Sequence, residues 1–142
     1  MSDKILLVDD EKEFARVLAQ RLEVRGHRVT TAGSGPEALE KAREESFDAV
    51  LLDLAMPVMD GIETLKRLRE GNPKLQVILL TGHGTVEKGV EAIRLGALDF
   101  LEKPADIQLL LDKVNEAKAR KTVLGEQETA DAIAEILKTK PW

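Results

Sequence analysis

The chain has 142 residues, no cysteine, two histidines and a formal net charge of −5. Its length fits one ordinary domain, and without cysteine it can form neither a disulfide nor a thiolate metal site. The acidic balance argues against direct nucleic-acid binding, because such proteins concentrate lysine and arginine on one face. No apolar run approaches the roughly 20 residues of a membrane span, and the start lacks a secretory signal. We therefore expect a cytoplasmic protein with no membrane contact.

Five short runs rich in leucine and β-branched residues alternate with longer amphipathic stretches. Three of these runs are continuously apolar, which is typical of strands covered on both faces. The alternation predicts a doubly wound α/β fold, in which helices flank a five-stranded parallel sheet. The runs are 5–8, 29–32, 49–52, 77–80 and 100–101.

The stretches between the runs carry the marks of amphipathic helices. Apolar residues recur at helical spacing, which predicts one buried face for each helix. Ser34 with Glu37, and Asp60 with Glu63, match the capping box that begins a helix. The apolar positions of the first and last helices are Phe14, Val17, Leu18 and Leu22, and Ile107, Leu110, Leu111, Val114 and Ala117.

The chain beyond Lys121 has a weaker pattern. We predict a domain over 1–121 and an extension over 122–142, made of a linker at 122–128 and an extra C-terminal helix near 128–138. Independent domains usually need at least about 40 residues, so no output domain is expected if the chain is complete. Packing of the extra helix on the domain is the first expectation; dimerisation, swapping or the stub of a removed output domain are the alternatives. Its apolar face comprises Ala130, Ile133, Ala134 and Leu137.

Polar residues follow four of the predicted strands, at the edge where parallel sheets bind ligands. Asp9 and Asp10 follow the first strand, Asp53 ends the third, Thr81 follows the fourth and Lys103 follows the fifth. Two carboxylates about 4 Å apart repel by roughly 4 kcal/mol at an effective dielectric near 20, so three in one pocket need a cation. An all-oxygen site with few protein ligands suits Mg²⁺, and Mn²⁺ could substitute.

Taken singly, these residues have ordinary structural explanations. Asp10 with Glu13 could cap the first helix, Thr81 could close a strand, and Lys103 could be a solvated cation. Together they suit phosphoryl transfer, because a metal ion and an ammonium neutralise phosphoryl oxygens while a hydroxyl donates a hydrogen bond. Asp53 is the best candidate nucleophile, since it ends a central strand while the paired aspartates form a natural metal site.

The ordered set of paired aspartates, Asp-x-x-Met-Pro-x-x-Asp-Gly, a strand-ending threonine and Lys-Pro closely resembles the receiver domains of two-component response regulators. The resemblance covers about residues 4–121 and implies a flavodoxin-like strand order 2-1-3-4-5. It implies that Asp53 accepts a phosphoryl group from a histidine kinase or a phosphotransfer protein. It places Asp9, Asp10, Asp53 and the Ala55 carbonyl at Mg²⁺, and Thr81 and Lys103 at the phosphoryl oxygens.

The resemblance also implies a conformational switch. Phe100 would turn inward when Thr81 moves toward the phosphoryl group, and protein partners would read the surface made by the fourth helix, fifth strand and fifth helix. Plain core packing is the alternative for Phe100. Ala55 and His83 would tune dephosphorylation, and a cis peptide bond is expected before Pro104.

Three other functions stay open. An aspartate-nucleophile phosphohydrolase also forms phospho-aspartate, but such enzymes typically need a second Asp where this chain has Ala55. Gly82-x-Gly84 suggests a dinucleotide site, but the third glycine would fall at Glu87 and the strand is the fourth instead of the first. A docking receiver with vestigial phosphorylation would leave the complete acidic set without a use. We expect no enzymatic activity beyond self-phosphorylation and self-dephosphorylation.

Overall fold

The computed structural model describes residues 3–56, 59–82, 86–103 and 106–139. Within these ranges, five strands alternate with five helices. The strands are β1 (Lys4–Val8), β2 (Arg28–Ala32), β3 (Ala49–Asp53), β4 (Val77–Thr81) and β5 (Asp99–Glu102). The helices are α1 (Lys12–Val24), α2 (Gly35–Glu44), α3 (Gly61–Gly71), α4 (Val86–Arg94) and α5 (Ile107–Thr139).

The strands form one parallel sheet in the order β2-β1-β3-β4-β5. The doubly wound fold and the strand order are therefore confirmed, and every predicted strand lies within one residue of the observed bounds. The register pairs Val8 with Leu52 and Asp53 with Leu80, so β1, β3 and β4 end side by side. Side chains that follow these strands consequently meet at one edge.

Two apolar layers cover the sheet, one on each face. Successive residues of a strand point to opposite faces, so a continuous apolar run supplies both layers. Leu6, Val50 and Leu79 pack toward α2, α3 and α4, whereas Leu7, Leu51 and Leu80 pack toward α1 and α5. The burial of both faces explains why these strands lack an alternating pattern.

The helix starts follow the capping signals. The Ser34 hydroxyl accepts a hydrogen bond from the Glu37 N–H, and the Glu37 carboxylate accepts one from Gly33. The Asp60 carboxylate accepts a hydrogen bond from the Glu63 N–H at 2.9 Å. Each contact satisfies backbone groups that a helix start would otherwise leave unpaired. The predicted starts of α2 and α3 are therefore confirmed.

The C-terminal helical extension is confirmed, but the linker predicted over 122–128 is wrong. Helix α5 continues without a break to Thr139 and has 33 residues. Gly125 suggested a linker, yet a single glycine costs only about 1 kcal/mol inside a helix, and no proline interrupts the segment. Among the described residues, no helix combines the length and apolar character needed to cross a bilayer.

The predicted packing of the extension on the domain is also wrong. Ile133, Ile136 and Leu137 are 52%, 62% and 68% exposed. The extension still meets the domain at one polar contact, since Glu128 pairs with Lys74. Just before the extension, Lys121 donates a hydrogen bond to the Phe47 carbonyl at 3.0 Å.

We expect that Gly125→Pro unwinds the extension and leaves the domain folded. Proline costs about 3 kcal/mol inside a helix, whereas the side chains over 126–138 are exposed and add little to the core. Far-UV circular dichroism should show lost helicity, while Gly125→Ala should retain it. The melting temperature should shift far less than in Leu110→Ala, which removes a buried side chain at a cost of about 2–5 kcal/mol. Equal destabilisation by Gly125→Pro and Leu110→Ala would contradict this prediction.

Candidate phosphoryl-transfer site

Asp9 is held at the edge of the sheet by the turn between β1 and α1. It is buried, and its Oδ1 accepts a hydrogen bond from the Glu11 N–H at 2.9 Å. Helix α1 begins at Lys12 without a side-chain cap, so the capping role considered for Asp10 is wrong. Asp10 is partly exposed, and its carboxylate is available to the pocket.

Asp53 is the last residue of β3, and its side chain is only 3% exposed. Its Oδ1 accepts a hydrogen bond from the Ala55 N–H at 3.3 Å. The start of α3 lies directly against this turn, since the Gly61 N–H donates to the Leu54 carbonyl at 2.9 Å. A Cβ at Gly61 would stand 2.5 Å from the Asp53 carbonyl oxygen. The glycine of the Asp-Gly motif therefore permits the backbone contact that fixes Asp53.

Lys103 enters the pocket from the end of β5, and its side chain is only 8% exposed. Its Nζ lies 2.6 Å from Asp9 Oδ2, 3.6 Å from Asp53 Oδ2 and 3.9 Å from Glu11 Oε2. The same Nζ lies 4.3 Å from the centre of the Phe14 ring. The solvated-cation explanation for Lys103 is therefore wrong.

The pocket contains more negative than positive charge. Carboxylate oxygens of Asp9, Asp10 and Asp53 lie within 4.8 Å of one another. Burial and the Asp9 charge, followed by Asp10, raise the pKa of Asp53 to about 6, against the opposing effects of Lys103 and the Ala55 N–H. The donors are all oxygen, and the excess charge needs a counter-ion. The set therefore fits a hard divalent cation such as Mg²⁺ or Mn²⁺.

The crowded carboxylates also determine the charge state of Lys103. Burial lowers the pKa of Lys103, but the hydrogen bond to Asp9 and the charges of Asp9, Asp53 and Glu11 outweigh burial and raise it above its ordinary value. The ammonium thus stays protonated at neutral pH. It can neutralise an oxygen anion that enters the pocket.

Thr81 and Phe100 lie on the neighbouring strands β4 and β5. Thr81 ends β4 and is buried, and its carbonyl accepts a hydrogen bond from the Lys103 N–H at 2.7 Å. Phe100 is partly buried in β5 and packs against the apolar layer that includes α4. A Cβ at Gly89 of α4 would stand 3.2 Å from the Phe100 ring. Helix α4 thus contacts the ring directly.

The structure brings the predicted Asp9, Asp10, Asp53 and Lys103 together. His83 and Pro104 lie outside the described residues, so their roles stay predictions. Sequence reasoning assigned no site role to four residues that the geometry places around the pocket or the Phe100 ring. The helical spacing of Phe14 marks it only as a core position, and the two glycines acquire meaning only from the atoms packed against them. The four are Glu11, Phe14, Gly61 and Gly89.

We expect Asp53→Asn to stabilise the protein at neutral pH when divalent cations are removed with EDTA. Because the folded-state pKa is raised to about 6, the folded protein retains a proton between about pH 4 and pH 6 that the unfolded chain releases. Wild-type stability should therefore fall as the pH rises through this window. The variant, which keeps the side-chain shape, should exceed it by about 1–3 kcal/mol above pH 6.

Denaturant unfolding across this pH range measures the difference. Asp112→Asn is the matched control, because it removes an exposed carboxylate on α5. A stability of Asp53→Asn at pH 7 equal to or below that of wild type would contradict the prediction.

The geometry agrees with comparisons to known proteins. A family model described as the response regulator receiver domain matches residues 5–115. Transcriptional regulatory protein ZraR of Klebsiella oxytoca is 45% identical over 115 residues, which make up 81% of this chain and 26% of ZraR. The chain thus spans about a quarter of the length of the ZraR relatives that it matches.

Solved structures give the same result. The response regulator receiver domain from Clostridium thermocellum has a TM-score of 0.82 and 36% identity, covering 86% of this chain and 98% of that one. A chain of the CheX-CheY-BeF3-Mg²⁺ complex from Borrelia burgdorferi has a TM-score of 0.75 and 31% identity, covering 79% and 86%. The fold, the acidic edge and the family match agree, and the chain belongs to the response regulator receiver domain family.

Proposed function

We propose that the chain is a phosphorylation-dependent signalling switch in which Asp53 accepts a phosphoryl group from a histidine kinase or a phosphotransfer protein. The observation that carries the proposal is the position of Asp53. Its carboxylate is buried at a strand end, 3.6 Å from the Lys103 ammonium and grouped with two further carboxylates. This arrangement suits a nucleophile that needs a cation and a charge-neutralising partner.

Asp9, Asp10 and Asp53 would hold Mg²⁺, with the Ala55 carbonyl as a further ligand by family resemblance. The CheX-CheY complex from Borrelia burgdorferi contains BeF3 and Mg²⁺. When bound, Mg²⁺ supplies charge neutralisation at phosphoryl oxygens. The role of the chain is to hold the oxygens in place, because the Ala55 N–H contacts Oδ1 of Asp53 and Lys103 faces Oδ2.

In the transfer step, an Asp53 carboxylate oxygen attacks the phosphorus of a phosphohistidine. The new bond joins this oxygen to phosphorus, the P–N bond breaks, and its electron pair leaves with the imidazole. Lys103 neutralises charge on the transferred group, and the Thr81 hydroxyl donates a hydrogen bond to it. The product is an acyl phosphate, which water later hydrolyses. As a switch, the chain would catalyse only its own phosphorylation and dephosphorylation.

The signal would leave the site through Thr81 and Phe100. The hydrogen bond between the Lys103 N–H and the Thr81 carbonyl links the ends of β4 and β5 beside the pocket. Phosphoryl contacts would favour one arrangement of Thr81 and the Phe100 ring. Because Gly89 lies against that ring, the change would reach α4 and the surface that downstream proteins read.

Incubation with a small acyl-phosphate donor should add one phosphoryl group, detected by intact mass. We expect the adduct to form in Mg²⁺ and to be absent with EDTA. Asp53→Asn should abolish it, whereas Asp112→Asn should retain it, because that exposed carboxylate lies outside the acidic cluster. An adduct retained by Asp53→Asn would refute the assigned nucleophile. Sustained turnover of phosphate monoesters would instead support the phosphohydrolase alternative.

Gly89→Ala should disturb the switch without removing the phosphorylation site. The added methyl would stand 3.2 Å from the Phe100 ring, so the ring or α4 must shift by a few tenths of an ångström. We expect altered Phe100 ring resonances in the NMR spectrum before phosphorylation, and a smaller change upon phosphorylation. Gly71→Ala is the control, because a Cβ there meets no atom within 4 Å. Ring resonances that do not respond to wild-type phosphorylation would contradict the switch role.

A further inference from the structure

The Phe14 ring is an uncharged neighbour of the Lys103 ammonium. Asp9, Asp53 and Glu11 supply three carboxylates, and the face of the Phe14 ring approaches to 4.3 Å from the ring centre. An ammonium within about 6 Å of a ring centroid is attracted by the ring quadrupole, and the attraction is stronger where water is excluded. The Lys103 side chain is nearly buried, so this contact lies in such an environment.

The ring attracts the ammonium without adding negative charge to the pocket, whereas a further carboxylate would add it. Carboxylates of Asp9, Asp10, Asp53 and Glu11 already lie around the pocket, and a further one would increase their mutual repulsion. The charge on Asp9 and Asp53 is also shared with any cation that the acidic cluster binds, whereas the quadrupole of the ring is unchanged by such binding. The attraction of the Phe14 ring for the ammonium therefore does not depend on whether the acidic cluster holds a cation.

The position of the Phe14 ring is fixed by its packing in the core. Phe14 lies in the first turn of α1, and its ring faces the Lys103 ammonium. The ring is partly buried and packs against the apolar layer that α1 and α5 form with the sheet. Its position is thus set by the core, independently of the charges in the pocket.

We propose that Phe14 is a positioning residue for Lys103, whose ring face holds the ammonium at the place where it meets the phosphoryl group. The role of the ammonium in transfer rests on the proposed function, whereas the contact between ring and ammonium does not. The two parts are therefore tested by separate measurements.

The contact is tested first, without phosphorylation. Protons next to an aromatic face are shielded, so the Lys103 ε-CH₂ signals in the NMR spectrum should lie upfield of those of the exposed lysines. Phe14→Leu should move them downfield, whereas Phe14→Tyr should keep them upfield. Lys103 signals that are the same in wild type and Phe14→Leu would overturn the proposal, even if Asp53 were never phosphorylated.

The consequence is tested with a small acyl-phosphate donor, which excludes effects on kinase docking. At saturating Mg²⁺, Phe14→Leu should slow phosphorylation of Asp53 by about 2- to 30-fold, the range that one cation–π contact supplies. Phe14→Tyr should retain a rate close to wild type. Val17→Ala, which trims a partly buried side chain one turn along α1, should also retain it.

A double-mutant cycle separates positioning from simple loss of packing. In a Lys103→Met background, Phe14→Leu should cause no additional slowing, because the ammonium that it positions is absent. Equal slowing in both backgrounds, or a Phe14→Leu rate equal to wild type, would overturn the positioning role. If the wild-type chain acquires no phosphoryl group on Asp53 at all, the proposed function fails, and the NMR measurement still decides the contact.

Discussion

The ion pair between Lys103 and Asp9 joins the carboxyl ends of β5 and β1 across the sheet. Asp9 follows β1 and Lys103 follows β5, and the 2.6 Å contact between them spans the intervening strands β3 and β4. Asp53 lies between these groups at the end of β3. Because the ammonium is nearly buried, its charge must be matched locally, and the carboxylates around it match that charge in excess. This excess of negative charge is the reason why the site suits a divalent cation.

The site also requires two helix backbones, those of α3 and α4, to lie very close to their neighbours. Gly61 brings the start of α3 against Asp53 and Leu54, and Gly89 lets α4 contact the Phe100 ring. In both places a Cβ would stand closer to its neighbour than side chains normally allow. One glycine therefore lets α3 lie against the backbone of Asp53, and the other lets α4 contact the aromatic ring of β5. The absence of a Cβ serves both the acidic pocket and the packing of Phe100.

The sequence was sufficient to predict the fold and the acidic centre, because both depend on patterns along the chain. Short runs rich in leucine and β-branched residues located all five strands, and the residues just beyond their ends gave Asp9, Asp53 and Lys103. Phe14 was predicted only as a core position, since a ring that packs and a ring that also faces an ammonium have the same helical spacing. The prediction of a linker over 122–128 was wrong for a different reason. Gly125 weakens a helix by about 1 kcal/mol, and the surrounding residues form helix well enough to outweigh that cost.

The unbroken helix α5 is linked to β5 through Asp99. Asp99 of β5 accepts hydrogen bonds from the Phe100 N–H at 2.7 Å and from Lys113 of α5, whose Nζ lies 2.7 Å away. Burial raises the pKa of Asp99, but the hydrogen bonds from Lys113 and from the Phe100 N–H outweigh it and keep the pKa below its ordinary value. The carboxylate is thus charged at neutral pH, and it links the backbone of the aromatic residue to α5. Since no linker interrupts α5 beyond that contact, a displacement of β5 at Phe100 would act on a helix that continues to Thr139.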